Sequence, residues 1–302
     1  MPQPARYRCQ CCGRWCEGYP SCWKILLPDS VADIPEPETF DDDYAHRSHA
    51  AAAARMRMDD LNERDTKGPP PPGLDAAAQR RWKYQRYVKD YLRCVAAVDD
   101  NVGRVLDELE QTGLADDTVL VYTSDQGFFL GDHGWYDKRF FYEESLRMPF
   151  VIRYPREIPP GTVDDHLVLN VDFAPLFLDY AGLATPSRMQ GRSFRDLLRG
   201  QAPADWRESM YYRYFMHADP NHNIYAHYGV RTPHHKLIYY YEPVPGPQEW
   251  ELFDLHNDPR ELRNVYGEPA YGDVVATLKA ELHRLRLSLG DTSNPWDGEP
   301  AG

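Results

Sequence analysis

The sequence predicts an α/β protein in which a mostly parallel sheet is flanked by helices and followed by a small C-terminal antiparallel sheet with a helix. Three observations support this fold class. A long helical pattern from Ala76 to Thr112 leads through a short loop into an apolar strand, Thr118 to Tyr122, and this sequence of elements is half of a βαβ unit. A second apolar strand follows at Pro149 to Tyr154. Beyond Gly200, short aromatic segments separated by turns replace this pattern, as in an antiparallel sheet.

The long helix is predicted from apolar residues that recur at intervals of three and four, namely Val88, Tyr91, Leu92, Val95, Val98, Val102, Val105, Leu106 and Leu109. This spacing places them in one stripe along a helix. Gly113 is predicted to end the helix as a left-handed cap. Cys94 lies inside the helix, where we expect it to act as a small core residue.

Further elements follow the two apolar strands. Leu167 to Val171 is predicted to form a third short strand, and Asp172 opens a helix that runs through Tyr180, with Gly182 as its stop. The C-terminal aromatic strands are predicted at Met210 to Phe215, Tyr228 to Arg231, Lys236 to Tyr241 and Glu251 to Asp254. The amphipathic segment from Asp273 to Leu289 is predicted to form a helix that covers this sheet.

The sequence divides into three predicted regions. Residues 1–24 contain five of the six cysteines and are expected to be poorly ordered, with a zinc site and disulfide bonds as alternatives. Residues 25–200 form the α/β domain, which begins with a loop-rich stretch. Residues 201–302 form the antiparallel subdomain with its helix.

Composition excludes some classes of function. The 302 residues carry a net charge of −13, so the protein's field has the wrong sign for a general nucleic-acid or anionic-membrane binder. Its sequence has no apolar run near the roughly 20 residues that span a bilayer. The first residues lack the apolar region of a signal peptide, and neither the compartment nor the oligomeric state follows from the sequence.

The most informative stretch is the loop after the first apolar strand, Thr123-Ser124-Asp125-Gln126-Gly127. In open α/β sheets, ligands bind just past the carboxyl ends of strands. Asp125 and Gln126 offer hard oxygen donors there, which suit Ca²⁺ or Mg²⁺. Gly127 and Gly131 let the backbone turn tightly near a ligand. His133 and Lys138 can return over the same site.

The longer pattern around this loop is more specific. S-D-Q-G, two aromatic residues, L-G-D-H-G, an aromatic pair, D-K and Y-E-E-S follow the strand in that order, within residues 119–145. This run resembles the sulfatase family of the alkaline phosphatase superfamily, in which S-D-H-G or S-D-N-G is followed by L-G-E-H-G and a lysine. Residues 250–266 resemble the C-terminal signature of the same family, and the resemblance spans about residues 27–289.

The resemblance implies a hydrolase of sulfate esters that acts on a small molecule or a glycan. It implies Asp125 and Gln126 as metal ligands, with Ca²⁺ favoured over Mg²⁺, and Lys138 as the residue that contacts the sulfate and its bridging oxygen. His133 follows in the same motif as a candidate catalytic residue. His227 and Arg231, in the segment A-H-Y-G-V-R-T, are candidates for lining the substrate side of the site.

One part of the family pattern has no counterpart in this sequence. Sulfatases use a formylglycine nucleophile made from the first residue of Cys/Ser-x-Pro-Ser-Arg, and no cysteine here begins such a motif; the one x-Pro-Ser-Arg run, at residues 185–188, follows Ala184. An early Asp-Asp pair that would hold the metal is missing too. We interpret the chain as the C-terminal part of a sulfatase that does not complete a catalytic site by itself. The alternatives are a phosphodiesterase or phosphonate-ester hydrolase of the same superfamily, and a non-catalytic remnant that acts as a binding module.

Overall fold

The computed structural model describes residues 6–8, 15–17, 33–241, 249–296 and 298–300. The chain divides into two compact units, one formed by residues 1–36 and 58–118 and the other by residues 37–57 and 119–302. The predictions for the cysteines of residues 1–24 lie outside the described residues. No helix in the described ranges is both long enough and apolar enough to cross a membrane.

The described helices are α1 (His49–Ala53), α2 (Ala76–Gln111), α3 (Glu143–Leu146), α4 (Phe173–Tyr180), α5 (Arg195–Leu198) and α6 (Gly272–Ser288). The described strands are β1 (Arg6–Arg8), β2 (Trp15–Glu17), β3 (Leu120–Thr123), β4 (Phe150–Arg153), β5 (Met210–Tyr214), β6 (His227–Arg231), β7 (His235–Tyr240) and β8 (Glu249–Asp254). They pair as β1–β2, as β3–β4 and as a four-stranded sheet in the order β5-β6-β7-β8.

The first unit is built on α2, which begins and ends close to the predicted residues. The Asp75 carboxylate caps its first turn by accepting a hydrogen bond from the Ala78 N–H (2.8 Å). Gly113 follows its end in the left-handed conformation, with φ of 71°. Tyr84 and Val88 are buried on this helix.

The prediction that Cys94 is a core residue is wrong, because its side chain is exposed. Within this unit Tyr84 and Arg86, in the first half of the helix, donate hydrogen bonds to the Pro35 and Thr66 carbonyl oxygens. The second half of the apolar stripe includes exposed positions: Val98 and Val105 are 48% and 53% exposed.

The second unit contains the apolar strands β3 and β4, and together with the helices around them they confirm the α/β fold class. These two strands pair antiparallel, with Thr123 opposite Phe150, and so do not themselves form the expected parallel sheet. The reason is the connection between them: a parallel neighbour requires a crossover that carries the chain back to the opposite end of the sheet. Residues 124–149 instead leave and return at the same end.

The third predicted strand, Leu167 to Val171, does not form. Asp172 accepts hydrogen bonds from the N–H groups of Leu169 (2.7 Å) and Arg192 (2.8 Å). These bonds turn the segment into a short 3₁₀ turn that leads directly into α4. Local side-chain acceptors thus compete with strand pairing here.

The C-terminal antiparallel sheet and its helix are confirmed. All neighbouring strands in the order β5-β6-β7-β8 pair antiparallel. One face of the sheet packs against the apolar side of α6, where Leu278 and Leu282 are buried. The other face carries Tyr212, Ile238 and Tyr240 into a second core with Phe140, Phe141 and Tyr142. Residues 140–142 directly precede α3, so the core on this face of the sheet also holds the start of α3 in place.

Candidate functional site

The loop after β3 is held in place by its backbone. The Gly127 N–H donates to the Ser145 carbonyl oxygen of α3 at 2.8 Å. A Cβ atom at position 127 would lie 2.0 Å from the Glu144 carbonyl oxygen, so only glycine fits. Asp125 is exposed and Gln126 is half-buried beside it. The two predicted metal ligands therefore extend from a loop that packs directly on α3.

Lys138 returns close to this loop through a tight turn. The Phe129 N–H donates to the Asp137 carbonyl oxygen (2.9 Å), and Gly131 makes the turn possible with φ of 103°. The Lys138 ammonium nitrogen lies 5.9 Å from the ring centroid of Phe128, two residues beyond Gln126. In the described part of the chain, no carboxylate lies within ion-pair distance of this half-buried ammonium group. Lys138 is thus a cation without a protein counter-charge there.

His133 is fully buried and has a charged group at each side of its ring. Nδ1 lies 2.7 Å from Arg47 Nη2 and 3.2 Å from Asp42 Oδ2, and Nε2 lies 3.4 Å from Glu144 Oε2. A guanidinium can only donate, so Nδ1 accepts from Arg47 when the ring is neutral, whereas a protonated ring presents Nδ1–H to the Asp42 carboxylate. Burial lowers the pKa of His133, but the Asp42 and Glu144 carboxylates outweigh this and raise it. These contacts support a positioning role for His133, and direct catalysis by it stays a prediction.

His227 is also fully buried, within an aromatic layer of the C-terminal sheet. Its Nδ1 lies 2.7 Å from the Tyr225 carbonyl oxygen, to which it donates, and its ring packs beside Tyr214 and Tyr240. Burial lowers the pKa of His227 to about 4, so the ring is neutral at pH 7. Nε2 has no hydrogen-bond partner in the described residues. A part in substrate binding stays a prediction.

Arg231 belongs to a buried group of four charges. Its Nη2 lies 3.0 Å from Glu143 Oε2, and Lys236 Nζ lies 3.0 Å from Glu143 Oε1. Lys236 Nζ also lies 2.6 Å from Glu261 Oε1. Burial raises the pKa of Glu143, but Lys236 and Arg231 outweigh it and lower it to about 2. Burial raises the pKa of Glu261 to about 7. Arg231 therefore has a carboxylate partner of its own, and its part in substrate binding stays a prediction.

A polar network next to Lys138 was not predicted from the sequence. His222 Nε2 and Arg139 Nε lie 3.0 and 2.9 Å from Asp137 Oδ2, and His222 Nδ1 lies 3.1 Å from Asp219 Oδ1. Asp137 has φ of 74°, which is uncommon for a residue other than glycine. The sequence feature that could have indicated this network is the triplet Asp137-Lys138-Arg139, in which two charged residues flank the predicted sulfate-binding lysine.

The donor set after β3 fits part of a Ca²⁺ site. A carboxylate and an amide oxygen are ligands of the right type, but Ca²⁺ takes about six to eight oxygens. Across the described residues, no group of three or more His, Cys, Asp or Glu side chains is arranged to hold a metal. Asp125 and Gln126 would therefore contribute two ligands, and the calcium ion would withdraw negative charge from a bound sulfate group.

Comparisons with known proteins show the family of this chain. A family model described as "Sulfatase" matches residues 32–183, and one described as "N-sulphoglucosamine sulphohydrolase, C-terminal" matches residues 131–288. An N-acetylglucosamine-6-O-sulfatase of Bacteroides thetaiotaomicron is 51% identical over 220 residues, which are 72% of this chain and 39% of that protein. An ulvan-active sulfatase of Formosa agariphila is 28% identical, over 86% of this chain and 48% of that protein. The chain thus spans less than half the length of these two curated relatives.

Two solved structures are similar to this chain in fold and sequence. A protein in complex with its substrate, D-glucosamine-2-N,6-O-disulfate, superposes with a TM-score of 0.81 and 38% identity, covering 87% of this chain and 61% of that one. A phosphonate monoester hydrolase from Silicibacter pomeroyi superposes with a TM-score of 0.66 and 25% identity, covering 91% of this chain and 54% of that one.

Proposed function

Because the chain belongs to the sulfatase family, we propose that it acts in the hydrolysis of sulfate esters, with Asp125 and Gln126 as ligands of a Ca²⁺ ion and Lys138 as the residue that contacts the sulfate. The observation behind this proposal is the arrangement of the loop after β3. Two oxygen ligands and a lysine without a counter-charge in the described residues lie on neighbouring parts of one loop.

Each residue has a chemical task in this proposal. Hydrolysis of a sulfate ester requires that the charge on the non-bridging oxygens is neutralised and that the leaving oxygen is stabilised. The Lys138 ammonium supplies a positive charge and hydrogen-bond donors for these oxygens. Asp125 and Gln126 would hold the metal, which would supply further positive charge for these oxygens. His133 and Glu144 keep the Gly131 turn and α3 together.

We further propose that the substrate is a sulfated glycan that contains a 6-sulfated glucosamine. The network of Asp137, Arg139, Asp219 and His222 beside Lys138 supports this, because carboxylate, guanidinium and imidazole groups can bind sugar hydroxyl groups. Similarity to the N-acetylglucosamine-6-O-sulfatase, and to the solved structure that contains a glucosamine disulfate substrate, supports the same substrate class.

Calorimetric titration of the 302-residue chain tests the proposal. We expect weak Ca²⁺ binding, because Asp125 and Gln126 supply two of about six to eight oxygen ligands, and glucosamine 6-sulfate should bind in its presence. Lys138→Met should weaken glucosamine 6-sulfate binding by about tenfold, which corresponds to the loss of one charge-assisted contact of roughly 1.4 kcal/mol. The matched control is Lys89→Met, since Lys89 pairs with Asp33 in the other unit.

Three outcomes would contradict parts of the proposal. Equal binding by wild type and Lys138→Met would exclude Lys138 as the sulfate contact. Tighter binding of an aryl phosphodiester than of glucosamine 6-sulfate would favour a phosphodiesterase or phosphonate-ester hydrolase. No detectable Ca²⁺ binding would favour a non-catalytic remnant.

A further inference from the structure

The buried charges behind α3 lie at the junction between the candidate metal loop and the C-terminal sheet. Lys236 and Glu261 are completely buried, and Glu143 is 9% exposed. Burying charged side chains is costly unless they are paired. Here they come from three separate elements: α3, the β6–β7 pair and the turn after β8. Such an arrangement defines the relative position of these elements through short ionic contacts.

Glu143 is the residue on which these contacts converge. Its carboxylate lies 3.0 Å from both Lys236 Nζ and Arg231 Nη2. Its backbone N–H donates to Glu261 Oε2 at 2.7 Å. Both its side chain and its backbone are thereby fixed by residues of the C-terminal sheet and the following turn.

Glu143 lies close in sequence to the residues of α3 that contact the loop after β3. Glu143 begins α3, and the next two residues of that helix contact Gly127: the Ser145 carbonyl oxygen accepts its N–H, and the Glu144 carbonyl oxygen lies 2.0 Å from where a Cβ atom would be. Gly127 directly follows Gln126. A movement of α3 by even a few tenths of an ångström must therefore move the candidate ligands, because no space separates the two backbones.

We propose that Glu143 is a positioning residue, which holds the Asp125–Gln126 loop in its ligand geometry by anchoring α3 to Arg231, Lys236 and Glu261. This inference rests on the proposed function of Asp125 and Gln126 as metal ligands. It assigns the buried charges of the C-terminal sheet a role in the metal site, in addition to their contribution to stability. Supporting groups of this kind orient ligands that touch the metal.

The test compares Glu143→Gln with Asp291→Asn in the 302-residue chain. Both variants remove a carboxylate that pairs with an arginine of the C-terminal sheet. Asp291 pairs with Arg213 at 2.6 Å, away from α3. Two quantities are measured: the Kd for Ca²⁺ by calorimetry, and hydrogen exchange at the Gly127 amide. We expect Glu143→Gln to weaken Ca²⁺ binding at least fivefold and to accelerate exchange at Gly127 at least tenfold. Asp291→Asn should change neither, even if it lowers the Tm by a similar amount.

The result that overturns the proposal is unchanged exchange at Gly127 in Glu143→Gln, or an equal change in Asp291→Asn, which would indicate general destabilisation. If Glu143→Gln does not fold, the half-buried partner offers a milder variant, Arg231→Gln, for which we expect the same direction with a smaller effect. If wild type does not bind Ca²⁺, the proposed metal site fails, while exchange at Gly127 still decides whether Glu143 positions the loop.

Discussion

Lys138 and Arg231 show at the residue scale how a cation's surroundings decide what it can bind. Both were predicted from the sequence to contact the substrate. Arg231 lies 3.0 Å from the Glu143 carboxylate, so an incoming anion would compete with a protein partner. Lys138 has no such partner among the described residues, and its ammonium nitrogen lies 5.9 Å from the centroid of the Phe128 ring. The free energy available for binding an anion is therefore greater at Lys138.

His227 leads to a prediction about stability and pH. Burial lowers its pKa to about 4 from an ordinary value of 6.5. Below pH 6.5 the unfolded chain takes up a proton that the native ring does not, so stability is lost as the pH falls from about 6.5 towards 4. Between pH 7 and 4.5 the loss should be about 2 kcal/mol. His227→Asn keeps a donor for the Tyr225 carbonyl but does not titrate, and should remove this part of the pH dependence.

Urea unfolding at both pH values measures the effect. His166→Asn is the control, because it makes the same substitution at an exposed loop residue. An unchanged pH dependence in His227→Asn would show that the native ring is protonated or accessible to solvent.

At the scale of elements, the contact between the loop after β3 and α3 predicts the effect of a small added side chain. Gly127→Ala places a methyl group 2.0 Å from the Glu144 carbonyl oxygen, so the loop and the helix must separate. We expect a loss of about 1–3 kcal/mol in the free energy of unfolding, as is typical of overpacking. Calcium binding should weaken as well, because the displaced segment includes Gln126. Thermal unfolding and calorimetry measure the two effects.

Gly103→Ala is the matched control for this substitution. Gly103 lies inside α2, and an added Cβ there meets no atom within 4 Å. Alanine is the better helix former by roughly 0.5–1 kcal/mol, so this variant should be neutral or more stable. If Gly127→Ala behaved like Gly103→Ala, the close packing of the loop on α3 would be refuted.

For the whole molecule, three carboxylates should dominate acid unfolding of the C-terminal part. Burial alone would raise the pKa values of Glu143, Asp254 and Asp291, but ion pairs and hydrogen bonds with neighbouring donors lower each to about 2. The stability that they contribute is complete above their ordinary values and is lost as the pH falls from about 4.5 to 2. Unfolding near pH 3 should take up about one proton for each of them.

The dependence of the unfolding free energy on pH gives this proton uptake. Asp291→Asn should reduce the slope near pH 3 by about one proton, and Asp164→Asn is the control because it makes the same change at an exposed loop residue. An identical slope in Asp291→Asn and wild type would mean that the Arg213–Asp291 ion pair does not form in solution.

The elements that could be predicted from the sequence are those with a strong local pattern. The apolar stripe and Gly113 predicted α2, short aromatic segments separated by turns predicted β5 to β8, and the motif from Ser124 to Lys138 predicted the family. The third strand was wrong, because the Asp172 carboxylate captures backbone N–H groups that a strand would need. Hydrophobic patterns do not reveal such local competition.

The sequence by itself determined the family, the α/β class and the candidate residues Asp125, Gln126 and Lys138, because these depend on residue types at close spacing along the chain. Only the tertiary structure decided which charges already have partners. Glu143 meets Arg231, Lys236 and Glu261 from positions about 90 to 120 residues away. The contacts of His133 with Arg47 and Asp42 span 86 and 91 residues. Long-range pairing of charges depends on how the elements pack, and the local sequence contains no record of that packing.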